Sequence, residues 1–429
     1  MSKTATLTLG EKIREIRKFV GMSQANLAKA TKRGIGTISR IENGQAECSG
    51  ELLKDVRKAL DIKNAPLLEG EGITFRERLH VWRDLINARS LHEAREMRKD
   101  LANILHLPFE WDLMILYMIY DAKLLMAEND VVLAAKRLDF SPLEEMSNEN
   151  LYHYYFTKGS LLTMRRQYKE ALAYFLKAYN LDRFDLEKES SLLYNIAICY
   201  GSLCMPCRSI MYLERAYNQF KDERASILGL RMENALAVSY MHIGENNLAQ
   251  KLLEKCLIRA KSTNNRIYTG IASLNLGSLC LKNDRTEQAL EYYNQAFEYF
   301  EEGDFFYLEN LYYKIRCLIK MGKSAQCKEL LHDAKNMSGQ NKNHMFLFNS
   351  LDHLMNLKDP SSCQYLKDIA IPYMLEIYEY YKALDYCKLL EDNYRNKRQT
   401  KKALEVAAIM RDIYERAIFI EDDELPKNL

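Results

Sequence analysis

The feature that most constrains this chain is a spacing of small residues that returns every 38 to 40 positions. Gly159, Ala171, Phe175 and Ala178 stand at offsets of 0, 12, 16 and 19. The same offsets recur as Ala197/Ser209/Leu213/Ala216, Ala237/Ala249/Leu253/Cys256, Gly277/Ala289/Tyr293/Ala296 and Ile315/Cys327/Leu331/Ala334, and again as Glu391/Ala403/Ala407/Met410. The steps between copies are 38, 40, 40 and 38 residues, then 76, which is twice 38 and hides a degenerate copy near 350–373. Small residues at these places let two antiparallel helices approach closely, while the bulkier third member wedges against the next pair. A unit of this kind cannot bury its apolar face alone, so the copies must stack into a continuous array.

Helix pairs with this register follow tetratricopeptide logic, with a period slightly above the usual ~34 residues. Composition agrees. The 429 residues include only 7 Pro and 17 Gly, with a 48% hydrophobic content that is ample for a core. Weaker copies are expected to fill 75–145. The predicted fold is therefore all-α, with about eight or nine helix pairs in a right-handed superhelix over 75–429.

The N-terminal part reads differently. Met22-Ser-Gln-Ala-Asn-Leu-Ala-Lys-Ala-Thr31 and Thr37-Ile-Ser-Arg-Ile-Glu-Asn-Gly44 predict two short amphipathic helices joined by a tight turn, the arrangement that lays one helix in a DNA major groove. Ser23 is placed to cap the first helix, and Gly44 to end the second in a left-handed turn. Leu27, Ala28, Ile38 and Ile41 supply the apolar spacing that locks the pair. Short helices are expected at about 9–20, 24–30, 35–43 and 49–60. The Pro and Gly of Ile62–Gly72 mark a boundary, giving a head over 1–66, a linker over 67–74 and the repeats after it.

Charge follows the same division. Residues 1–66 carry 13 Lys+Arg against 7 Asp+Glu, a balance of +6. The other 363 carry 48 against 52, or −4, so the chain total is +2. A basic head on a mildly acidic body suits local contact with a polyanion. Met1–Gly10 lacks the apolar core of a signal peptide, no run is long enough to cross a membrane, and ten scattered cysteines form no framework; a cytoplasmic chain with reduced thiols is expected. Cys204-Met-Pro-Cys207 has redox or zinc spacing but no second pair. The eight histidines fall singly in sequence. No phosphate loop, nucleophile elbow or paired-carboxylate site is visible, and neither cofactor nor resident metal is expected.

A Cro-type helix-turn-helix followed by tetratricopeptide-like repeats resembles the RRNPP family, cytosolic receptors for short signalling peptides in Gram-positive bacteria and their phages. The resemblance covers essentially the whole chain and is nearest to the NprR-like branch, with phage arbitrium receptors similar in plan. It implies double-stranded operator DNA and a short signalling peptide as partners, a homodimer, and no enzymatic activity. Carried over by position, Gln24, Ile35, Thr37, Ser39, Arg40, Asn43 and Gln45 would meet DNA, with Lys32 and Arg33 as added phosphate contacts. Here the turn departs from the family pattern. Gly34 and Gly36 leave the recognition helix poorly capped and bare at its leading edge, so modest base readout and more shape readout are expected.

Counting inward-facing positions along the repeats places Tyr194, Asn195, Arg231, Asn234, Asn275, Lys282, Tyr312 and Arg316 on the inner groove, with Asn310 adjacent. Asn is uncommon inside helices, and its amide donates and accepts at once, so a ladder of Asn195, Asn234, Asn275 and Asn310 would clamp an extended peptide backbone. The family binds its peptides through inner-face asparagines. Arg231, Arg316 and Lys282 would take a carboxylate, and Tyr194 and Tyr312 apolar side chains. A competing expectation is a regulator that sequesters a response regulator or another protein through its repeats. Its phosphatase version is disfavoured because residues 75–145 contain no Gln.

Overall fold

The computed structural model describes residues 8–62, 68–102, 111–139, 146–181, 186–219, 227–339 and 341–418; among them all regular structure is helical. Two compact units emerge, residues 1–164 and 165–429.

The first unit opens with α1 (Leu9–Phe19), α2 (Gln24–Ala30), α3 (Ile35–Glu42) and α4 (Gly50–Ala59). Ile13, Ile16, Leu27, Ala28, Ile38, Ile41, Leu52 and Val56 converge on one small core. These are the residues that helical spacing puts on the inner faces. Thr8 and Glu11 form a reciprocal capping box on α1, and Ser23 Oγ accepts the Asn26 amide at 3.1 Å. Gly44 takes a φ of +69°, closing α3 as expected. Gly10 sits against the carbonyl of Ile41, so any side chain there would force α1 off α3.

α5 (Glu69–Asn87) begins inside the stretch read as a linker, so residues 69–74 are its first turns; residues 63–67 lie outside the described residues. α6 (Leu91–Ala102), α7 (Trp111–Ala127), α8 (Val131–Arg137) and α9 (Asn148–Met164) complete the unit. Buried Trp82 ties α5 to α6 by donating Nε1–H to the Ala94 carbonyl at 2.8 Å, and it stacks on Tyr117 of α7.

The second unit stacks antiparallel pairs: α10 (Tyr168–Tyr179), α11 (Leu186–Ser202) with α12 (Pro206–Gln219), α13 (Ile227–Ile243) with α14 (Asn246–Ser262), and α15 (Arg266–Lys282) with α16 (Thr286–Phe297). The stack continues with α17 (Phe305–Lys320), α18 (Ser324–Ser338), α19 (Lys342–Met355), α20 (Pro360–Tyr365), α21 (Ile371–Glu376), α22 (Tyr380–Asn396) and α23 (Thr400–Ile418). The repeat register is the core. Ala197, Leu213, Ala216, Ala237, Ala249, Leu253, Cys256, Ala289, Tyr293 and Ala296 are all fully buried. Gly277 shows why smallness matters, because a Cβ there would lie 2.6 Å from the Tyr293 ring.

The hidden copy has a local cause. Between α20 and α21, Leu366–Ala370 forms a single π turn, one residue ahead of Pro372 on α21. Proline lacks the N–H that an uninterrupted α-helix would use, and the wider turn absorbs the loss. The helix then rotates, so Leu366 and Ala370 are buried while Ile369 is half exposed. The last copy also shifts: Ala403 and Val406 are buried, Ala407 and Met410 only partly.

Candidate DNA-binding head and inner groove

In the head, a buried ion pair fixes the recognition helix. Arg17 on α1 makes a fork with Glu42 at the end of α3, Nε to Oε1 at 2.6 Å and Nη2 to Oε2 at 2.8 Å. Arg17 also donates to the Met22 carbonyl at 2.8 Å, and Gln24 Nε2 donates to Glu42 Oε2 at 2.7 Å. Burial by itself raises the Glu42 carboxyl, but the bonds from Arg17 and Gln24 hold it below the usual carboxylate range. The three side chains thus tie α1, α2 and α3 into one frame.

Outside that frame the predicted DNA residues separate into two groups. Ile35, Arg40, Asn43 and Gln45 are exposed, as are Lys32 and Arg33 in the turn; Thr37 and Ser39 are half-buried on α3. Arg33 lies 3.7 Å from Glu51, and Arg40 Nε donates to the Gly36 carbonyl at 3.3 Å, both open enough to re-aim. Gln24 is the exception, since its amide nitrogen already gives one of its two N–H groups to Glu42. Gly34 caps α3 with no side-chain bond, and nothing stands within 4 Å of a Cβ at Gly36.

In the second unit the residues expected on the inner face fall on α11, α13, α15 and α17. Asn275 Nδ2 donates to Asn234 Oδ1 at 2.8 Å, linking adjacent repeats. Arg231 lies flat over the Tyr194 ring at 4.5 Å, a cation–π contact between α13 and α11. Asn195 donates to the Ser191 carbonyl one turn earlier on its own helix. All five side chains are half-buried.

Two expectations need correction. Asn310 is fully buried and donates to the Tyr293 carbonyl at 2.8 Å, so it staples α17 to α16 instead of extending the ladder. Tyr312 is also fully buried, its hydroxyl bonded to that of Tyr386 at 3.3 Å. Position counting put both beside the groove, but it could not foresee what covers α17.

What covers it is α22. Lys382, on α22, places Nζ 3.1–3.2 Å from both oxygens of Glu309, and both residues are buried. Burial works against the charged forms, yet Lys382 and His344 hold the Glu309 carboxyl down near about 2. Asp385 accepts from Arg316 at 2.7 Å, and its charge also reaches Lys282, whose ammonium donates to the Met241 carbonyl. Tyr381 stacks face to face on His242, ring centroids 3.2 Å apart. Packing and the nearby Lys282 charge push the His242 imidazole down to about 3. At the same end, Arg166 donates to Glu379 at 2.8 Å and to the Ile377 carbonyl at 3.2 Å. One face of α22 therefore answers side chains of α13, α15 and α17, and Lys282 and Arg316 meet in it.

Cys204 and Cys207 do not act as a pair: Cys204 is buried in a left-handed turn and Cys207 is exposed. Sequence reading also missed a cluster. His80, Glu149 and His153 come together in the first unit, where 73 residues of separation between the histidines left no spacing signal.

Residues 13–63 match a helix-turn-helix family model, and residues 230–302 match a tetratricopeptide repeat model. The chain is 22% identical over 270 residues to the transcriptional activator NprA of Geobacillus stearothermophilus, covering 62% of this chain and 66% of that protein. It is 25% identical over 203 residues to the regulatory protein RapD of Bacillus subtilis, covering 46% of this chain and 57% of that one. Among solved structures, a Rap protein complexed with competence and sporulation factor matches with a TM-score of 0.72 at 14% identity, over 80% of this chain and 99% of that one. NprR in complex with its cognate peptide NprX matches with a TM-score of 0.64 at 19% identity, over 80% and 99%.

The class these matches define is a helix-turn-helix head joined to a tetratricopeptide-like body. Within that architecture the chain is similar in sequence to NprA and in fold to the NprR and Rap structures. No helix among the described residues is long and apolar enough to cross a membrane.

Proposed function

We propose that the protein is a transcriptional regulator whose head binds operator DNA as part of a homodimer, under the control of a short peptide held in the repeat groove. The observation that carries this reading is the head's division of labour. Arg17, Glu42 and Gln24 fix α3 from behind, while Ile35, Thr37, Arg40, Asn43 and Gln45, flanked by Lys32 and Arg33, face away from the core. A helix-turn-helix used only for packing has no need of a basic exposed rim. Base readout falls to few side chains, and phosphate contacts with half-site spacing supply the rest.

In the groove, Asn234 and Asn275 clamp the peptide backbone, and Arg231 with Tyr194 flanks it. Arg316, paired with Asp385, and Lys282, bonded to the Met241 carbonyl, are the groups a peptide carboxylate would claim. Entry of a peptide therefore competes with α22 for Arg316 and shifts the population of the second unit between two arrangements. The body's likeness to Rap folds favours, as a second reading, capture of a protein partner by the repeats.

Gel-shift titration with upstream DNA at two salt concentrations tests the first reading. Binding that weakens steeply with salt supports it, and no binding at low salt defeats it. Size-exclusion scattering with candidate short peptides encoded beside the gene should reveal a ligand-dependent change of mass or radius. Replacing Asn275 with Ala should weaken the active peptide by about 1–2 kcal/mol, roughly 5- to 30-fold, because a partnered amide is lost; unchanged affinity removes the Asn clamp from the reading.

A further inference from the structure

The cluster in the first unit has a built geometry. Glu149 and His153 are four residues apart on α9 and so share one face of that helix. His80 reaches them from α5. One ligand atom from each of the three residues lies within 4.8 Å of the other two. His80 Nε2 stands 3.2 Å from Glu149 Oε1. Two ligands each about 2.0–2.1 Å from a tetrahedral ion are separated by about 3.3–3.4 Å. The ring centroids of His80 and His153 are 6.2 Å apart, so a small closure of His153 completes the set.

The outer contacts select which atoms face inward. His80 Nδ1 is 3.2 Å from the Tyr120 hydroxyl, which leaves Nε2 directed at Glu149. Arg76 donates to Glu149 Oε2 at 2.8 Å, so Oε1 is the oxygen turned to the cluster. Tyr120, fully buried, also packs edge-on against buried His153. Partners on the far side of ligating imidazoles and carboxylates are what fix such ligands in metal sites.

We propose that His80, Glu149 and His153 bind one first-row divalent transition ion, Zn²⁺ being the natural probe, with a fourth position for water. Two imidazoles and one carboxylate suit zinc, iron or cobalt and do not suit calcium or magnesium. Arg76 and, farther off, Arg83 and Lys123 bring positive charge to the neighbourhood, and Glu149, Asp112 and Asp84 offset it. The bound ion would clamp α5 to α9 through histidines 73 residues apart in sequence. The competing arrangement uses the same atoms without an ion: His80 donates Nε2–H to Glu149, and Arg76 completes the pair.

Full-length protein, stripped with chelator and dialysed, is titrated with Co²⁺ and then with Zn²⁺. The site predicts one equivalent of Co²⁺ with the visible ligand-field bands of a tetrahedral nitrogen–oxygen set and no thiolate charge-transfer band, displaced by Zn²⁺. His80→Ala should weaken binding at least ~100-fold, and Glu149→Gln, which keeps the side-chain shape, at least ~10-fold. Zinc should raise the melting temperature of the wild type and leave that of His80→Ala unchanged. Absence of stoichiometric binding, a thiolate band pointing to cysteines, or wild-type affinity in both folded variants overturns the proposal.

Discussion

The head and the repeat groove both bury charge, but for opposite purposes. In the head, Arg17, Glu42 and Gln24 satisfy one another behind α3, so the exposed residues on its outer side are free of structural duty. In the groove, the cationic residues that a ligand would use are themselves the structural partners: Arg316 holds Asp385, and Glu309 holds Lys382. The head is a finished surface. On the function proposed above, the groove's internal bonds are exchanged for ligand bonds, which is what a switch requires.

The largest test of this contrast removes the carboxylate behind α3. Glu42→Ala leaves the Arg17 guanidinium buried with neither oxygen of its fork, a loss of about 3–5 kcal/mol. In differential scanning calorimetry the head transition should drop or vanish, taking DNA binding with it, while the repeat transition stays in place. Equal melting of both regions would mean that the head does not fold as its own cooperative element.

Lys382→Met makes the matching cut in the second unit. Glu309 then keeps only His344 at 3.2 Å, and destabilisation of about 3 kcal/mol is expected for a buried charge with its main partner gone. Because the change also loosens α22, peptide affinity should rise even as stability falls. If affinity falls with stability, α22 supports the groove and does not compete for it.

Acid sharpens the comparison further. An unfolded histidine titrates near 6.5, whereas His242 under Tyr381 protonates only near about 3. The unfolded chain therefore binds the extra proton first, and the stability from neutral His242 is whole above about pH 6.5 and lost as pH falls toward 3. Between pH 6.5 and 5 carboxylates stay ionised, so urea midpoints in that window report histidines. His242→Phe, which keeps the stack on Tyr381, should flatten the slope; an unaltered slope assigns it elsewhere.

The sequence reading succeeded where spacing is the physics. Small residues at fixed offsets must be buried if helices are to touch, and Ala197 through Ala334 are. It stumbled where one residue of extra turn intervened, at Leu366–Ala370 before Pro372, since a π turn changes phase without changing composition. It failed on contacts between distant segments. Nothing local to Tyr312 announces Tyr386, nothing local to Glu309 announces Lys382, and the His80–His153 approach depends on how α5 meets α9. Asn310 reads as a step of the ladder because its amide donates and accepts at once; its nitrogen instead donates to the Tyr293 carbonyl inside the core.

The smallest predicted effect lies at the bare tip of α3. Gly34 has the extended backbone of an N-cap, φ −75° and ψ 147°, and a Cβ there would meet only Thr37 Oγ1 at 3.9 Å. Gly34→Ser therefore fits without strain and adds a hydroxyl able to accept an amide of the first turn, stabilising the head by a few tenths of a kcal/mol. The same hydroxyl sits at the leading edge of the recognition helix, where phosphate or a base edge would lie. If the head is a finished surface short of readers, the variant should gain affinity for the operator beyond its small gain in thermal stability. Stability that rises with no change in the gel shift would place the contact with DNA farther along, at Thr37, Arg40 and Asn43.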